Sequence, residues 1–170
     1  GLGCRKYSTG HLKTGISLLR EALNRARNLG DNETFWVIAN LWFTFCGVPQ
    51  AVEERLRLAE ELEQNSRTGV TVIVLSSGLF WTGLTFLEYG QRQRAETYLG
   101  EYKALAERTG QVNLRLTAMA VDSMANYMDG NIDKARHIAG NIQARGEELN
   151  ISQYANTFAF FCAIRPLLYR

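Results

Sequence analysis

The chain has little of what most catalytic or nucleic-acid-binding sites are built from. His11 and His137 are its only histidines, and so the only side chains that ordinarily titrate near neutrality. His11 follows a turn glycine and His137 stands beside Arg136, and solvated surface positions account for both. The three cysteines, Cys4, Cys46 and Cys162, show neither close pairing nor metal-ligand spacing. Cys46 and Cys162 fall in apolar, aromatic-rich stretches, which predicts buried free thiols and a reducing, cytoplasmic compartment. No GxSxG, P-loop, HExxH, CxxC or EF-hand spacing occurs. No catalytic residue, cofactor-binding residue or metal ligand is therefore assigned, and a non-enzymatic protein is expected. An enzyme would need a convergent acid, base or metal site that the sequence does not display. Nineteen basic residues face seventeen acidic ones without any basic run, which argues against a direct nucleic-acid partner. With only two prolines, Pro49 and Pro166, long helices are unobstructed. No signal-peptide pattern is visible.

What is present is a pattern. Residues 77–110 read as two amphipathic helices joined at Gly90. Within them Gly83, Phe86, Gly90 and Ala95 each have a physical role: close helix approach, filling beside it, a left-handed helix end, and a small residue where the second helix folds back. Turn glycines recur at Gly10, Gly47, Gly90 and Gly130. The small residue opening the second helix recurs as Gly15, Ala51, Ala95 and Ala135. The residue seven before the turn is Gly3, Asn40, Gly83 or Ser123. Second helices end at Gly30, Gly69, Gly110 and near Asn150. These landmarks agree on a repeat of roughly forty residues.

These residues resemble a tetratricopeptide repeat (TPR). Leu2-Gly3, Gly10 and Gly15 fit that family's skeleton; Gly83, Phe86, Gly90 and Ala95 fit it better, and Gly130 to Ala135 is similar to its GDxxKA turn. Asn40 and Asn126 depart from the small and aromatic residues the family prefers there, and the period exceeds the family's usual length of about 34. Longer repeats of this kind resemble the arrays of bacterial signalling proteins, such as LuxR-type regulatory ATPases and cyclase-linked proteins. The resemblance implies an all-α fold: a right-handed superhelix of antiparallel helix hairpins, a TPR-like α-solenoid. It implies one repeat domain over residues 1–170, with hairpins at about 1–30, 31–68, 69–110 and 111–150 and a partial one at 151–170. Both ends fall inside a repeat, so a segment of a longer array is expected.

In chain order, residues 1–9 read as the tail of a first-type helix and 11–29 as its partner, apolar at Ile16, Leu19, Leu23, Ala26 and Leu29. Residues 33–46 are apolar nearly all round, as a buried helix would be. Pro49 suits the first turn of the next helix, about 50–64, with Val52, Leu56, Ala59 and Leu62 inward. Residues 68–87 contain no charged side chain, long enough to span a bilayer. Their threonines, serines and glycines, and their agreement with the repeat, favour a buried helix over a membrane span, and over a strand at Val70–Val74. Residues 91–109, 112–129 and 132–149 complete the pattern; Gly140 and Gly146 should weaken the last of these by about 1 kcal/mol each. Pro166 should bend or cut the final helix.

The candidate binding residues come from one departure. Asp122 and Asn126, one turn apart on one helix face, are polar where the preceding repeats place Ala39, Phe43, Thr82 and Phe86. In TPR-like arrays the first helices line the concave surface, so these two, with Tyr127, Asn40 and Thr44, are candidates for ligand or partner contact. The bland alternative is a slight rotation of that helix toward solvent. The aromatic residues from Phe35 to Phe45 read as core, although an aromatic-lined groove can also bind peptides. The glutamate pairs 53–54, 60–61 and 147–148 read as a solvated outer face. The expected function is a protein-interaction or signal-receiving scaffold within a larger bacterial regulatory protein, with a protein or peptide partner in the concave groove and no membrane partner. The alternative is a small-molecule or short-peptide sensor, which a compact apolar pocket near Asp122 and Asn126 would favour over a long open groove. Uncapped repeat ends would also allow self-association.

Overall fold

The computed structural model describes residues 2–48 and 51–168. Among these the only regular elements are helices: α1 (Leu2–Ser8), α2 (Leu12–Leu29), α3 (Asn32–Phe45), α4 (Val52–Gln64), α5 (Val72–Glu88), α6 (Arg92–Thr109), α7 (Val112–Met128), α8 (Ile132–Glu148) and α9 (Ser152–Leu168). The expectation for Pro49 lies outside the described residues. Pro166 does not cut α9, which continues through it to Leu168. Packing divides the chain into two compact units, residues 1–101 and 102–170, with the boundary inside α6.

The turns follow from local chemistry. Asp31 caps α3 by accepting the Thr34 backbone N–H at 2.9 Å. After α5, Gly90 takes φ +70° and the Gln91 N–H reaches back to the Phe86 carbonyl at 2.8 Å. This is the bond that closes a Schellman turn. The same bond forms from His11 to Lys6, Asn131 to Asn126 and Ile151 to Gly146. In the last of these Asn150, at φ 56°, stands where the others have glycine.

In the first unit α1 packs on α2, α2 on α3, α3 on α4 and α5, and α4 on α5. At the α1–α2 and α5–α6 contacts a small residue lets backbones meet. A Cβ on Gly3 would lie 3.3 Å from the Gly15 carbonyl, and one on Gly83 3.4 Å from the Ala95 carbonyl and 2.7 Å from Leu99 Cγ. Gly78 admits Trp36 of α3, whose ring would lie 2.4 Å from a Cβ there. Ion pairs join α2 to α4, α4 to α6, and the loop after α4 to α6. Arg20 and Arg27 of α2 reach Glu54 and Glu61 of α4, Arg94 of α6 reaches Glu60 and Glu63, and Arg67 reaches Glu101. The glutamate pairs at 53–54 and 60–61 thus do more than solvate an outer face.

Two inward assignments change. Leu29 is 67% exposed and Val52 42%. In α4 Ala59 and Leu62 are buried as expected, joined by Leu58, but toward its start the buried residues are Ala51, at the N-cap, and Arg55, each one residue, or about 100° of helix, before the expected Val52 and Leu56. Arg55 tolerates burial because its guanidinium meets Glu88 at 3.2 Å. Gly47 is not left-handed, unlike Gly10, Gly90 and Gly130. Ala39 and Ala51, both fully buried, hold the twelve-residue spacing of Gly3/Gly15, Gly83/Ala95 and Ser123/Ala135. Asn40 points elsewhere, donating from Nδ2 to the Val74 carbonyl of α5 at 2.9 Å.

The uncharged stretch becomes α5, which buries Ser76, Gly78, Leu79, Thr82, Gly83, Thr85 and Phe86. Among the described residues no helix is long and apolar enough to cross a membrane. In the second unit α7, α8 and α9 pack mutually around Leu116, Ala120, Ile142, Ala155 and Ala159. Gly146, read as a weak point of α8, is where α9 comes closest: a Cβ there would lie 2.1 Å from that of Ala155.

Candidate functional site

The second unit contains a cleft of about 440 Å³, formed by the last turns of α6, the outer face of α7 and the C-terminal end of α8. Two buried hydrogen bonds fix its frame. The Tyr102 hydroxyl on α6 donates to the Leu114 carbonyl of α7 at 3.2 Å, and Ser123 Oγ donates to the Ala135 carbonyl of α8 at 2.9 Å. Burial pushes the Tyr102 phenol up to about 12, so it stays a donor at any ordinary pH.

The floor is apolar, from Val112, Leu116, Ala118 and Met119 of α7 with Leu149 after α8. The rim is charged. Lys103 Nζ meets Asp122 Oδ1 at 2.7 Å, and Arg115 Nη2 meets Glu107 Oε2 at 3.3 Å, so the α6–α7 wall is internally neutralised. Arg145 alone supplies charge on the α8 side, and its carboxylate partner, Glu148 at 2.7 Å, is not among the lining residues. All these side chains are roughly half exposed, so each pair contributes on the order of 0–1 kcal/mol and can exchange partners readily.

The predicted site residues are placed as follows. Asp122 lines the cleft. Asn126, one turn on, folds its side chain back to the Asp122 carbonyl at 2.8 Å, and Tyr127 is half-buried. Asn40 and Thr44 belong to the first unit, on α3, where the exposed Thr44 hydroxyl donates to the Asn40 carbonyl at 2.8 Å. Asp122, Asn126 and Tyr127 therefore share a helix, but only Asp122 is brought to the cleft.

Sequence reasoning missed Lys103, Arg115 and Arg145. The available signal was spacing: Lys103 and Glu107 are one turn apart on α6, and Arg115 and Asp122 two turns apart on α7. Among the described residues no group of three or more His, Cys, Asp or Glu side chains is arranged to hold a metal ion. Cys46 is a buried free thiol pushed up to about 12 by desolvation, and Cys4 and Cys162 are free and partly exposed.

No protein-family model matches the chain, and neither a curated protein nor a solved structure matches it at a significant level.

Proposed function

We propose that the chain is a TPR-like α-solenoid, a single repeat domain with a period of about forty residues, acting as a non-enzymatic interaction or signal-receiving scaffold within a cytoplasmic bacterial regulatory protein. The observation that carries this reading is the recurrence of one contact. Small residues twelve apart meet across a pair of helices at Gly3/Gly15, Gly83/Ala95 and Ser123/Ala135, and Ala39 and Ala51 are fully buried at the same spacing. A hairpin of this kind cannot bury both its faces alone, and stacking on neighbours supplies the core. Binding along the first-type helices, at Asn40 and Thr44 or at Asp122, Asn126 and Tyr127, would alter how successive hairpins pack and so transmit a signal.

The test is affinity capture with the chain and with two variants, Thr44→Arg and Asn126→Arg, beside Arg57→Gln as a control on the exposed face of α4. A protein retained by the chain and the control but lost by either groove variant is the expected result. Proteins retained equally by all four, or by none above background, would contradict the scaffold reading.

A second reading, a small-molecule or short-peptide sensor, is favoured by one specific observation: a cleft of ligand size with an apolar floor lies at Asp122.

A further inference from the structure

We propose that the cleft between α6, α7 and α8 binds a small amphipathic carboxylic acid, its apolar body on Met119 and Leu149 and its carboxylate on Arg145. The proposal rests on the ligand-sensing reading and names the ligand class.

Three observations combine. The volume, about 440 Å³, lies within the range of about 300–1,000 Å³ that small-molecule sites occupy. The floor rewards an apolar body: Leu116 is buried and close-packed, while Met119 and Leu149 are only partly covered. An unbranched thioether such as Met119 adapts to ligand shape. The third observation is charge. Five charged side chains line the cleft, three cations and two anions. Lys103 is matched by Asp122 and Arg115 by Glu107, which leaves Arg145 as the lining charge without a lining partner.

Arg145 spends one hydrogen bond, from Nη1, on Glu148 three residues away on its own helix. A guanidinium has five N–H donors in a fork that suits a carboxylate. An incoming carboxylate can therefore bind it without breaking a buried pair. A cationic ligand would meet Arg145 as a repulsive charge and would have to compete with Lys103 for Asp122. A neutral ligand of the same shape would gain the floor and forgo the fork.

The test uses the full chain with its methionine methyl groups ¹³C-labelled, titrated with 4-phenylbutyrate and, separately, with 4-phenylbutanol. The expected result is a saturable shift of the Met119 methyl resonance with the acid, and binding of the alcohol about tenfold weaker or more. Arg145→Gln should lower affinity for the acid to that of the alcohol, while Arg57→Gln leaves it unchanged. Both positions are exposed, and circular dichroism is the check that each variant is folded. Equal affinity for acid and alcohol, or full affinity in Arg145→Gln, would overturn the carboxylate assignment while leaving a ligand cleft. No saturable Met119 shift with either probe would overturn both the proposal and the sensing reading beneath it.

Discussion

Two glycines on α8, six residues apart, should respond in opposite directions to the same substitution. Gly140 is exposed, has ordinary helical backbone, and would place a Cβ in open space. Alanine there removes the conformational freedom of glycine in the unfolded chain and should stabilise by about 0.5–1 kcal/mol. Gly146 would place its Cβ 2.1 Å from that of Ala155, whereas ordinary contact is 3.4–4 Å. Ala155 is fully buried and has no side-chain rotamer to turn, so α8 and α9 must separate by more than an ångström. Overpacking of this kind costs about 1–3 kcal/mol, and the same helix-propensity gain of about 1 kcal/mol offsets part of it. Gly146→Ala should therefore lower stability by up to about 2 kcal/mol, or by roughly 4–8 °C in Tm per kcal/mol for a unit of this size. All three tryptophans, Trp36, Trp42 and Trp81, lie in the first unit, so far-ultraviolet circular dichroism is the appropriate probe and indole fluorescence is not. If Gly146→Ala melts with or above Gly140→Ala, the close approach of α8 to α9 is wrong.

Other expectations follow from buried polar groups and charges. Thr82 and Thr85 are fully buried on α5 with no protein partner for either hydroxyl, so Thr82→Val should be neutral or stabilising by about 1 kcal/mol in urea denaturation; a loss of 2 kcal/mol would mean that the hydroxyl is bonded. Burial raises the Cys46 thiol and the Tyr102 phenol to about 12, from ordinary values of 9.0 and 10.0. Between about pH 9 and 12 the unfolded chain ionises these groups while the folded chain holds them neutral, so stability should fall with rising pH through that window. A flat Tm across it would contradict their burial. Glu61→Gln removes the charge from a bidentate but half-exposed pair with Arg27 and should cost under about 1 kcal/mol, shrinking further at high salt. Double-mutant cycles with Arg27→Gln measure the coupling directly.

The helices were legible because their cues are local. Periodic apolar residues and turn glycines each act within a few residues, and the bounds of α2, α6, α7 and α8 follow. The α3–α4 turn was misread because Gly47 looks like a turn glycine, yet its backbone is not left-handed, and Ala39, not Asn40, is the fully buried small residue, a difference set by packing and not by local sequence. The burial of Arg55 was hidden for a similar reason: its partner Glu88 is thirty-three residues away. In the candidate site Asp122 was found because a polar residue interrupts an apolar pattern. Lys103, Arg115 and Arg145 interrupt nothing, being charges on faces where charge is ordinary. They converge only through the packing of α6 and α8 against α7.

The central claim is that one small-residue contact recurs along the chain, and disulfide trapping tests it most directly. With the three native cysteines replaced by serine, the pairs Ala39→Cys/Ala51→Cys and Ser123→Cys/Ala135→Cys are compared with Asn40→Cys/Ala51→Cys under mild oxidation. The account predicts that the first two pairs close readily and the third does not, because Asn40 faces α5 instead of α4. Closure of the Asn40 pair in preference to the Ala39 pair, or failure of the Ser123 pair, would contradict it.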